Sequence, residues 1–185
     1  MPPPIPVTLV EYNADWPGMA AGYAACLKQA LGSSLVIVHH IGSTSVPGLG
    51  AKPIIDLMPL VTDLAVLDQQ RQHVEALGYV WHGELGISGR RYCTLSDKIG
   101  IRLGQLHFFK ADSPDVRRHI AFRDYLRTHP EAARAYEHEK RRARDLHPDD
   151  SHAYTDKKAA WIQVIEAKAL IWFETREPDL RRNST

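Results

Sequence analysis

Ten residues separate two short apolar runs, SLVIVHHI from Ser34 to Ile41 and KPIIDLMPLV from Lys52 to Val61, and this spacing narrows the folds open to the chain. Both runs are rich in β-branched and aliphatic residues, and glycine or proline bounds the junction. They predict two strands joined by a compact loop or a single helical turn. Asp56 interrupts the second run between Ile55 and Leu57. A carboxylate buried there without compensation would be costly, so it needs a partner or a job. The structural partner would be Lys52, Arg90 or Arg91; the functional one would be a hard divalent cation, which favours carboxylate oxygens and substrate phosphates.

The rest of the chain supplies what these strands pack against. DWPGMAAGYAACLKQAL, Asp15 to Leu31, opens with a candidate Asp cap and an early proline. It then places Met19, Tyr23, Cys26, Leu27 and Ala30 at helical spacing. A second helical period runs through Leu64, Leu67, Val74 and Leu77 and stops at Gly78. YVWHG, RRYCTL and IRLGQLHFFK read as further strands, giving an α+β core with a mixed sheet of about five strands and flanking helices. The pattern turns helical after Lys110. Starts at Ser113-Pro114, at His129-Pro130 and near Ser151 predict a C-terminal bundle of three helices. The first should bury Val116, Ile120, Tyr125 and Leu126, and the last should present Trp161, Val164, Ile165, Lys168, Ile171 and Trp172 as a broad face. The expected division is a core over 1–111, a helical region over 112–175 packed on it as one structural unit, and a flexible tail over 176–185.

Composition limits the partners. With 185 residues, 44% of them hydrophobic, the chain can bury one core. Lysines and arginines number 23 against 22 acids, so no global field favours nucleic acid or an anionic membrane. A polyanion must be caught locally. Cys26 and Cys93 lack CxxC spacing, as expected of reduced thiols in packing positions. MPPPIPVTLVEY has no basic n-region or long apolar stretch, and no later segment is apolar enough to span a bilayer; the expectation is a soluble, cytoplasmic protein.

Gly42-Ser43 at a strand end can offer free backbone N–H groups and a hydroxyl to an anion, and Thr44 and Ser45 add hydroxyl donors. The stretch fits neither the Walker pattern nor the dinucleotide fingerprint, and a GS turn alone is more often structural than functional. A strand ending in GS and an aspartate 13 positions beyond Ser43 on the next strand resemble the signature of the polymerase-beta-type nucleotidyltransferase superfamily. More narrowly, HIGSTSVPGLGAKPIIDL resembles the GrpB family of that superfamily, also found as a domain fused to some dephospho-CoA kinases. VEYNADW, LHFF, FRDYLRTHPEAARAYEHEK and AYTDKKAAWI extend the resemblance over nearly the whole chain.

The resemblance implies a nucleotidyltransferase-like sheet. In it Gly42 and Ser43, with Thr44 and Ser45, would hold nucleoside triphosphate phosphates, and Asp56 would hold Mg²⁺ or Mn²⁺ for transfer to an unidentified small acceptor. The usual second acid, two positions on, is Met58, a poor ligand for magnesium. The third acid should come from IRLGQLHFFK, where Gln105 and His107 stand instead. Asp56, His107 and His40 could therefore hold a transition metal, with Asp56 and His107 as catalytic candidates and phosphoester hydrolysis as a further chemistry. Lys140 and Lys158, each one helical turn after a tyrosine, and Arg123 would face the phosphates by the same resemblance. A catalytically inactive nucleotide- or phosphate-binding module, possible in coenzyme A metabolism, is the alternative to an enzyme; nucleic acid is an unfavoured partner, and the oligomeric state stays open.

Overall fold

The computed structural model describes residues 3–182. Five strands form one mixed sheet in the order β1-β2-β5-β4-β3, from β1 (Leu35–Ile41), β2 (Ile55–Val61), β3 (Tyr79–Trp81), β4 (Arg91–Ser96) and β5 (Arg102–Lys110). The central pair β2 and β5 is parallel and every other pair antiparallel. Both expected apolar runs are strands, and the expected α+β sheet is present.

Six helices cover the two faces: α1 (Trp16–Leu31), α2 (Leu64–Gln69), α3 (Arg71–Ala76), α4 (Pro114–Thr128), α5 (Pro130–Leu146) and α6 (Ser151–Arg182). α4 and α5 begin at the prolines that sequence reading picked, where fixed φ and a missing N–H suit the first turn. Asp63 caps α2, its Oδ1 accepting from the amides of Ala65 (2.7 Å) and Val66 (3.3 Å). The single helix expected from Leu64 breaks into α2 and α3 at Gln70, which lies outside helical geometry at ψ 7°. Asp15 is not the cap expected of it: it is itself helical and makes no side-chain capping bond.

On one face, Trp16, Ala20, Leu27 and Leu31 of α1 pack with Leu57, Cys93, Leu106 and Phe108 of the sheet and with Leu67 and Val74. The buried stripe of α1 is rotated from the one expected, since Met19 and Cys26 are exposed. On the other face, Ile41, Met58, Leu60 and Phe109 meet Val116 of α4. A third cluster, Val46 and Leu49 against Leu126, Ala132, Tyr136 and Ile165, ties the β1–β2 loop to α4, α5 and α6. The face of α6 is narrower than expected. Ile165 and Ala169 are buried, whereas Val164 and Ile171 are 57% and 65% exposed. α6 continues through the start of the expected tail to Arg182, and 183–185 lie outside the described residues. No helix among the described residues is long and apolar enough to cross a membrane.

Candidate functional site

Strand alternation sorts the expected residues. Asp56 on β2 pairs with Ile41 of β1 and Gln105 of β5, and side chains paired across a sheet share a face. Asp56, Met58 and Leu60 therefore point toward α4, as do Gln105, His107 and Phe109. Asp56 and His107 come together, with His107 Nε2 3.8 Å from Asp56 Oδ1.

The chain turns over Asp56 immediately after β1. Gly42 has φ 69° and ψ −174°, a conformation open essentially to glycine alone. A Cβ there would sit 2.5 Å from Asp56 Oδ2. The absence of that carbon lets backbone and carboxylate share one wall of the cleft. Ser43–Ser45 form a 3-10 turn closed by the Ser45 amide and hydroxyl on the Gly42 carbonyl (3.2 and 2.6 Å). The first amides of such a turn have no acceptor within it.

The helices bring cations to this wall. A cavity of about 340 Å³ is bordered by the 42–44 turn, Asp56, Gln105 and His107 on the sheet side, and by Lys140 and Lys158 on the helical side. Lys140, 1% exposed, donates to the Gly50 carbonyl and lies 4.8 Å from the centre of the Tyr136 ring. Lys158 Nζ stands 4.6 Å from the Tyr154 ring centre, with Lys52 Nζ 5.3 Å from the same ring. Burial, reinforced by repulsion from Lys158, lowers Lys140 to about 7 and Lys52 to about 8; burial likewise lowers Lys158 to about 8, against a pull upward from Asp56. Tyr136 stacks on Trp161 at 5.0 Å, and burial raises its phenol while a hydrogen bond with Ser43 opposes the rise.

Outside the cavity, several arginines are paired with acids: Arg91 with Asp68, Arg141 with Glu137, Arg142 with Glu139. Among the described residues, Lys52, Lys140 and Lys158 have no carboxylate within ion-pair distance. The other acid of the cavity, Glu166, is taken by Arg118 at 2.6 Å. Lys52, read from the sequence as a structural partner for Asp56, is thus a third cation of the cleft. His119 also lines it, lowered to about 3 by burial and the neighbouring Arg118.

Three expected residues do not line the cavity: Ser45, whose hydroxyl is spent on the Gly42 carbonyl, His40 and Arg123. His40 pairs with Leu57 and so faces α1, opposite Asp56; its Nε2 lies 2.9 Å from Thr44 Oγ1, where it steadies the turn from behind. Burial lowers it to about 4. Arg123 is held by Asp124 (2.7 and 3.1 Å) and by the His40 carbonyl (3.3 Å) and does not line the cavity.

The donors do not fit a resident two-metal centre or the expected histidine-carboxylate site. Met58, 0% exposed, belongs to the apolar cluster beneath α4, and no group of three His, Cys, Asp or Glu able to hold a metal occurs among the described residues. Arg90 Nη1 is 3.5 Å from His107 Nδ1. A guanidinium can only donate, so where this long contact forms it is Nδ1 that accepts. Metal-bound histidines have the reverse polarity, donating their second N–H outward.

Residues 6–168 match the GrpB protein family. The chain is 36% identical over 170 residues to the UPF0157 protein YqkA of Bacillus subtilis, covering 92% of this chain and 49% of YqkA, so it spans about half that relative's length. A dephospho-CoA kinase of Mycolicibacterium paratuberculosis is 28% identical over 92% of this chain and 47% of its own. The crystal structure of the conserved protein GrpB from Enterococcus faecalis matches with a TM-score of 0.85 and 38% identity, over 90% of this chain and 99% of that one. Structures of the Cid1 poly(U) polymerase match more remotely, at a TM-score of 0.48 and 13% identity over 66% of this chain and 40% of that one. On the extent of the family match and the agreement with the solved GrpB structure, the chain belongs to the GrpB family.

Proposed function

We propose that the cleft binds a nucleoside triphosphate through its phosphates. The observation that carries this reading is the set of three lysines without carboxylate partners, Lys52, Lys140 and Lys158, facing the 42–45 turn across the cavity. Cations withdrawn from water by burial gain from an anion between them, and Lys140 and Lys52 are further repelled by Lys158. In this reading the Ser43 and Thr44 amides and hydroxyls take phosphate oxygens, and the lysines take the distal charge. Asp56 is the one carboxylate available to a divalent cation arriving with the phosphates, Mg²⁺ or Mn²⁺, whose remaining ligands would be phosphate oxygens and water.

Whether the bound nucleotide is turned over divides two readings. The contact of Gly42 with Asp56 favours metal-dependent nucleotidyl transfer to a small acceptor, because it sets the phosphate turn beside the carboxylate. The apolar surroundings of Met58 favour binding without transfer, as a sensor or as a partner domain of an enzyme such as a kinase of coenzyme A synthesis. Calorimetric titration of the four ribonucleoside triphosphates with Mg²⁺, into wild type, Lys158→Met and Asp56→Ala, tests the shared claim. Binding weakened by about tenfold or more in Lys158→Met, a loss of about 1.4 kcal/mol, is the expected result. Equal binding by wild type and Lys158→Met would refute it. Pyrophosphate release with candidate acceptors then separates transfer from binding alone.

A further inference from the structure

A second cavity, of about 260 Å³, adjoins the first and shares Lys52, Gln105, His107 and Thr155 with it. Its remaining walls come from distant segments: Ile5 near the N-terminus, Leu85 and Arg90 before β4, Tyr92 on β4, Arg102 on β5, and Ser151 and His152 opening α6. The strap carrying Ile5 is fastened to α6 by reciprocal bonds, Ile5 N to Ser151 Oγ and Ser151 N to the Ile5 carbonyl, each 3.1 Å.

The charge of this cavity is one-sided. Lys52, Arg90 and Arg102 border it and no Asp or Glu does. Arg90, 7% exposed, spends its guanidinium on the carbonyls of Glu84 (3.2 Å) and Leu85 (2.8 Å) and on His107. Arg102 reaches the Ser96 hydroxyl at 3.3 Å and has no carboxylate within ion-pair distance among the described residues. It also hydrogen-bonds the Tyr92 phenol, and its charge lowers Lys52. Arg102 and Lys52 are half-buried, and cations partly withdrawn from water with no acid on the cavity wall are stabilised by a bound anion.

We propose that this cavity is an oxyanion subsite for the second substrate, which carries a phosphate or carboxylate gripped by Arg102 and Lys52. The shared wall of Lys52 and His107 puts that substrate next to the phosphates in the first cavity. This assignment builds on the nucleotide reading, but the subsite can be tested separately. Inorganic phosphate, and in a parallel arm acetate, is titrated into the protein with and without saturating tripolyphosphate, while ring-proton shifts of Tyr92 and His152 are followed by NMR.

The expected result is saturable shifts at Tyr92 and His152 in the presence of tripolyphosphate, weakened about tenfold in Arg102→Gln and restored in Arg102→Lys, with tripolyphosphate affinity changed less than twofold. The arm that binds more tightly names the anion of the second substrate. Absence of saturable shifts in both arms, or equal affinity in Arg102→Gln, would overturn the proposal. If tripolyphosphate fails to bind while phosphate still shifts these rings, the nucleotide reading falls and the subsite stands.

Discussion

Replacing Gly42 with alanine should damage fold and site together, by an amount that can be worked out from two features. At φ 69° and ψ −174° a non-glycine residue carries a backbone cost of about 1–3 kcal/mol. The added Cβ would lie 2.5 Å from Asp56 Oδ2 and 3.0 Å from Asp56 Cβ, an overlap of the kind that costs about 1–3 kcal/mol when a packed site must yield. Gly42→Ala is therefore expected to lose about 2–6 kcal/mol in urea denaturation. The double variant Gly42→Ala/Asp56→Ala removes the carboxylate part of that overlap and leaves φ and the Cβ contact unchanged. The cycle should return a coupling of about 1–3 kcal/mol. A loss below about 0.5 kcal/mol for Gly42→Ala, or zero coupling, would refute the placement of the turn against Asp56.

Met58→Asp should not restore a metal centre. Its carboxylate would enter the cluster of Ile41, Leu60, Phe109 and Val116 and destabilise the fold by about 3 kcal/mol or more; a variant as stable as wild type with new Mg²⁺ binding would contradict this. Phosphate affinity should fall as pH rises from 7 to 9, because Lys140 (about 7) and Lys52 and Lys158 (about 8) lose their protons. Stability without ligand should move oppositely. These lysines keep their protons to about 10.5 in the unfolded chain, so through this window the unfolded state binds more protons and rising pH favours the fold. Isothermal titration and urea denaturation at several pH values check both signs, and a Lys140→Met variant should flatten both curves.

Much of the scaffold was legible because its signals are local. The two apolar runs and the prolines opening α4 and α5 are readable from neighbouring residues, while the pairing of Gly42-Ser43 with Asp56 follows from the family resemblance. What was misplaced depended on which way an element faces. Strand parity sends His40 to the α1 side, and the rotation of α4 spends Arg123 on Asp124 and β1. Met58 stands where the resemblance implies a second acid, and that its side chain packs in the core is not legible from composition alone. The role of Lys52 and the second cavity emerge only when segments as distant as 5, 90, 102 and 152 meet.

The central claim is that a triphosphate lies between the 42–45 turn and the lysines of α5 and α6. Crystals of the protein soaked with a nucleoside triphosphate and Mg²⁺ test it most directly. Phosphate density within hydrogen-bond distance of Ser43, Lys52 and Lys158 is the predicted result. An empty cleft, or density confined to another surface, at saturating ligand would contradict it.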